Sequence, residues 1–242
     1  MGRRVEPLRP TELTDEQQDI YDSLVGGPRA SGPHLFPLTD DEGGLVGPFN
    51  AFLLQPRIGQ ALQGVGAALR YEGDLTDRCR EVVVLTIAAH WDSSFERSSH
   101  EAIARHIGMS EGEIGALRSG TPEVFTGVER AVLDVTIALL AHGDLDDETH
   151  AAGVAAVGES GLFELTTLVG YYSTLALQMR MFRVGALTDP GETCRQTGNG
   201  RCVGVRCGRA EHCWRTQAVS PAPIACLSAY RQPSGQSARS RW

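Results

Sequence analysis

The chain of 242 residues contains no lysine, and all 22 of its basic residues are arginine. That reads as the imprint of a GC-rich genome rather than a functional device. Aromatic side chains make up only 6% of the sequence, so Leu, Val and Ala must do most of the packing. Strand signals are also missing. No run alternates polar and apolar residues for long enough to be a strand, which leaves an all-α fold. The N-terminal stretch MGRRVEPLRPTELTDEQQ has no apolar core and therefore reads as no secretory signal. Glu6 stands where a myristoylation motif needs Ser or Thr. The longest uncharged apolar run, 165–179, falls short of the roughly 18 residues that suggest a membrane span. The expectation is a soluble, cytoplasmic protein with no membrane partner.

What is present divides at about residue 188. Residues 1–187 hold 14 arginines against 27 acidic residues, a net charge of −13, whereas 188–242 hold 8 against 3, a net of +5. An acidic body argues against nucleic acid as a partner. Apolar residues reach 41% overall, enough for one core, so 1–187 is expected to be the folded domain. The segment from 188 on has no helical period and is rich in Gly, Pro, Ser and Arg. It carries Cys194, Cys202, Cys207, Cys213 and Cys226 without the C-x-x-C pairs of a zinc site. His212 beside Cys213 leaves a metal knuckle as the lesser alternative. The segment reads as a disordered tail to which no function is assigned.

Within the body, periodicity and end signals predict helices over 13–27, 49–54, 56–71, 76–90, 93–108, 110–118, 126–142, 146–158 and 162–184. Thr14 is a fair N-cap, Ser110-x-x-Glu113 and Thr126-x-x-Glu129 read as capping boxes, and Pro56 suits a first turn. The stretch 28–48 reads as a long ordered loop, a length that is often functional. The centre of the chain is EVVVLTIAAHWDSSFERSSHEAIARHI, 81–107, two helices joined by a tight bend. The first is apolar almost all round and must be buried, with Glu81 at the start of its apolar run. On the second, Ser93, Glu96 and His100 are spaced by three and four and share one face. A carboxylate facing an acid–imidazole pair can move protons.

Each of these residues also has a quieter reading. Ser93-x-x-Glu96 is itself a capping box, His100 could be a satisfied core histidine, and Glu81 could pair with Arg78 or Arg80. Glu96 and His100 could hold a metal at i, i+4, but no third ligand suggests itself, so no metal or cofactor is expected. The Tyr171-Tyr172 pair reads as core or subunit interface, and Phe49 and Phe52 as pocket wall or packing.

The hairpin resembles the carboxymuconolactone decarboxylase family, which includes the alkyl hydroperoxidase D-like group. The family pattern is a Glu, eleven residues, then Cys-x-x-Cys-x-x-x-His. On this chain the Glu is Glu81, the His is His100, and the two cysteine places are Ser93 and Glu96. GPFNAFLLQP at 47–56, GMSEGEIGALRSG at 108–120 and LFELTTLVGYYSTLA at 162–176 extend the likeness over residues 5–187. The resemblance implies an alkyl hydroperoxidase D-like helical domain that assembles into homo-oligomers, trimers or hexamers. It also implies either of two chemistries. The peroxiredoxin-type branch works through two thiols, and neither Ser93 nor Glu96 can cycle as one. The decarboxylase branch needs no thiol. There His100 would donate the proton, Glu81 or Glu96 would set its tautomer and charge, and Ser93 and Arg97 would bind a small carboxylated or lactone substrate. A third alternative is a non-catalytic helical oligomer that binds a small molecule.

Overall fold

The computed structural model describes residues 4–27 and 35–184, all within the first of two units into which the chain divides, Met1–Thr193. The Cys-rich tail and its conceivable metal knuckle lie outside the described residues. So do the expected boundary near 188 and part of the loop 28–48.

Eight α-helices are described: α1 (Asp15–Val25), α2 (Pro48–Phe52), α3 (Pro56–Tyr71), α4 (Asp77–His90), α5 (Ser94–His106), α6 (Glu111–Ser119), α7 (Gly127–His142) and α8 (Asp147–Phe182). No strand occurs among the described residues, and one isolated bridge, Thr39 to Leu45, closes a turn in the loop before α2. The fold is all-α, and α4 is its axis. It packs against α5, α6, α7 and α8, and Val82, Val83, Val84, Ile87 and Ala88 are wholly buried. Burying each of these valines and the isoleucine is worth about 1.5–3 kcal/mol, which is why this helix can be apolar all round.

Local signals set most helix ends. Thr14 accepts from the Gln17 N–H, Ser110 from Glu113 and Asp146 from Thr149, each filling an orphan donor of its helix. Gly120 and Gly143 end α6 and α7 in the left-handed conformation that glycine adopts without strain. The two helices expected over 146–158 and 162–184 form one run, broken at Gly158 (φ 72°, ψ 173°). The capping box expected at Thr126 does not form. Gly127, with φ 58°, turns the chain at that point, and Glu129 instead holds Arg78 at 2.6 Å. A charge-assisted bond to a guanidinium outweighs a neutral N–H.

Two further features bear on the site. At Gly47 (φ 61°) a Cβ would overlap the Phe95 ring, so the loop before α2 closes directly onto the start of α5. Along α8, Phe163, Leu177 and Met181 are half or more exposed. By length and composition α8 is the one described helix apolar enough to cross a membrane, and about a third of its most apolar stretch is buried. The break at Gly158 interrupts it.

Candidate functional site

Two helices bring the chemistry together. The bend between α4 and α5 is tight. The Ser93 N–H bonds the Ala88 carbonyl at 2.9 Å, and Asp92 takes φ 47°, a left-handed turn that Asp tolerates better than most residues. Folding α5 back on α4 sets Glu81 and His100 against each other. His100 Nδ1 lies 2.8 Å from Glu81 Oε2, and the residues are 6% and 2% exposed. An ionised carboxylate can only accept, so His100 carries its proton on Nδ1 when the pair is bonded. Nε2 is the nitrogen left for chemistry.

The alternative partners of Glu81 are engaged elsewhere. Arg78 bridges Glu113 at 2.5 Å and Glu129 at 2.6 Å, and Arg80 holds Asp77 and the Leu75 carbonyl. Arg78 ties α4 to α6 and α7, and Glu113, bonded by Ser110 and Arg78, is held down to about 2. Opposite charge and hydrogen bonds to the ionised form both act in that direction.

Glu96 lies one turn before His100 on the same face of α5. It is 2% exposed, and beyond the Ser93 hydroxyl neither carboxylate oxygen meets a hydrogen-bond partner among the described residues. Burial pushes its acid up to about 8, and a hydrogen bond from the Ser93 hydroxyl opposes the rise. Near neutral pH Glu96 is therefore mostly a neutral carboxylic acid. The capping-box reading of Ser93 and Glu96 does not hold, since Ser93 is the N-cap residue but its side chain caps nothing. Ser93 is 5% exposed and lines a cavity of about 400 Å³, together with Phe95, Met179, Arg180 and Arg183. Arg97 turns away to Asp92, 3.4 Å from it across the bend. It makes no ion pair with Glu81, Glu96 or His100.

One contact was not anticipated in the sequence. The Tyr172 ring meets His100 edge-on, with centroids 5.1 Å apart, and Tyr171 packs on Tyr172 at 5.3 Å. Nothing local in the YY pair signals an imidazole 72 positions upstream. No group of three or more His, Cys, Asp or Glu among the described residues is placed to hold a metal. Cys79 is the one cysteine there. It is buried in the core, and burial raises its thiol, the reverse of what a reactive cysteine needs.

Comparison with known proteins agrees with this architecture. A crystal structure of a peroxidase-related protein from Ralstonia eutropha, with an alkylhydroperoxidase AhpD core, superposes with a TM-score of 0.60 at 15% identity, covering 76% of this chain and 92% of that one. A protein of unknown function from Agrobacterium tumefaciens, described as a putative antioxidant defence protein AhpD, gives 0.52 at 21%, covering 57% and 95%. The debrominase Bmp8, as a cysteine-to-alanine variant in complex with 2,3,4-tribromopyrrole, gives 0.59 at 14%, covering 78% and 94%. At these identities the likeness is one of fold. No curated protein matches the chain in sequence. The sequence model of the carboxymuconolactone decarboxylase family matches residues 56–138, which contain α3 to α6, most of α7 and the whole Glu81–His100 hairpin. The match covers about a third of the chain, and it is that segment which is similar to the carboxymuconolactone decarboxylase family.

Proposed function

We infer that this protein is an acid–base enzyme acting on a small carboxylated or lactone compound, by decarboxylation or isomerisation. The observation that carries this reading is the buried Glu81–His100 pair at 2.8 Å. A carboxylate fixing one nitrogen of an imidazole leaves the other to give or take a proton. The debrominase that shares the fold binds a small ring compound, 2,3,4-tribromopyrrole, and a small cyclic substrate is the class proposed for this chain. The thiol chemistry of the family's peroxidase branch finds no support here, because Ser93 and Glu96 occupy the cysteine places and Cys79 is buried. The exposed apolar side chains of α8 support a homo-oligomer, and a trimer or hexamer is the assembly expected.

The test is a panel of small unsaturated lactones and their carboxylated forms, followed for carbon dioxide release and for double-bond migration. Turnover in the native protein and its loss in His100→Gln support the reading. Equal turnover in both proteins contradicts it.

A further inference from the structure

Glu96 has no structural explanation in the fold. A buried carboxyl group with no charged partner costs free energy, and among the described residues only the Ser93 hydroxyl offsets it. Its place shows what could. It sits on the face of α5 that carries His100 one turn on, and beside Ser93, which opens onto a cavity. A base and an undissociated acid a helical turn apart can act on two atoms of one substrate.

We propose that Glu96 is the acid of a two-group site in which His100 is the base, and that the substrate is a β,γ-unsaturated carbonyl compound isomerised to its conjugated form. This rests on the acid–base reading of the Glu81–His100 pair. The proton balance closes without a co-reactant. His100 Nε2 takes a proton from the carbon between the carbonyl and the double bond, while Glu96 gives its proton to the carbonyl oxygen. The C–H electrons form the new double bond of a dienol. The imidazolium then protonates the far carbon, the enol hydroxyl returns its proton to the Glu96 carboxylate, and both groups are restored.

The arginines favour isomerisation over decarboxylation. Loss of carbon dioxide calls for a cation beside the departing carboxylate, and Arg97, the nearest in sequence, lies 3.4 Å from the exposed Asp92 across the bend and makes no ion pair with Glu81 or Glu96. Arg180 and Arg183 line the cavity next to Ser93, seven residues before His100. Along a helix that is about 10 Å. A carboxylate held there would anchor the substrate rather than leave it.

Two probes test this, α-angelica lactone and β,γ-cyclohexenone, each followed by ultraviolet absorbance and by deuterium uptake in heavy water. The native protein should convert at least one to the conjugated isomer and incorporate deuterium. Glu96→Gln, close in shape but unable to give up a proton, should lose about 10²–10⁴ in rate. It should also lose the alkaline fall in the pH profile that begins near 8, the value to which Glu96 is raised. Glu96→Asp should recover part of the rate. A merely structural glutamate would change the melting temperature and leave the profile alone. No conversion of either probe by the native protein overturns the proposal, and so does a Glu96→Gln variant with native rate and profile. If His100→Gln loses the activity while Glu96→Gln keeps it, this inference fails and the acid–base reading stands. If His100→Gln also keeps it, both fail.

Discussion

Two glutamates on one helix, Glu96 and Glu101, are buried to nearly the same degree, 2% and 8% exposed, and they live in opposite circumstances. Glu101 takes Arg118 on Oε1 and Arg105 on Oε2. Both arginines reach it from the solvent side, so its charge is neutralised where it sits. Glu96, in the first turn of α5, takes neither. The first stitches α5 to α6 and belongs to the scaffold. The second has no charged partner, only the Ser93 hydroxyl, and keeps its proton to about 8. Burial alone does not mark a functional acid; burial without a charged partner, beside a histidine already paired to a carboxylate, is what makes Glu96 the candidate.

The comparison breaks most visibly in the pH dependence of stability. An unfolded glutamate loses its proton near 4.3, while Glu96 in the fold keeps it to about 8. Between these values the folded state holds a proton that the unfolded state has released, so stability falls as pH rises, and it levels off above 8. The loss has an upper bound of about 5 kcal/mol. Glu96→Gln removes the titration. Its melting curve should match the native protein's near pH 4 and lie well above it near pH 9, and parallel curves across that range would place Glu96 among ordinary acids. Glu101→Gln should do the opposite, destabilising by about 1–2 kcal/mol near neutral pH, because its half-exposed arginine partners can rehydrate. A smaller effect separates Ser110 from Thr126, two of the three capping boxes read from the sequence. Ser110→Ala should cost about 1 kcal/mol, while Thr126→Ala, whose side chain caps nothing, should change the melting temperature hardly at all.

Much of the fold was legible because its signals are local. Pro56 starts α3, Gly120 and Gly143 stop α6 and α7, and the unbroken apolar run of α4 requires burial on every side. The local reading failed where a distant charge competes. Glu129 is at the right spacing to cap with Thr126, but Arg78, 51 residues away in sequence, holds it. Similar logic applies in the site. The spacing of Glu81, Ser93, Glu96 and His100 put them on facing helices, and the structure joins Glu81 to His100. Spacing could not say that Arg97 would turn to Asp92, since a long side chain near a bend has several directions open to it. Nor could it place Tyr172 against the imidazole, a contact made only when α8 packs on the hairpin.

The most direct test of the account is His100→Gln, assayed for turnover and melted in parallel, with Glu81→Gln beside it. The account predicts that His100→Gln loses about 10²–10⁴ in rate per folded molecule with its helical signal and cooperative melt intact. Glu81→Gln should lose less and shift the pH profile. If His100→Gln instead melts early and turns over normally wherever it is folded, the Glu81–His100 pair is a core contact and the claim is wrong.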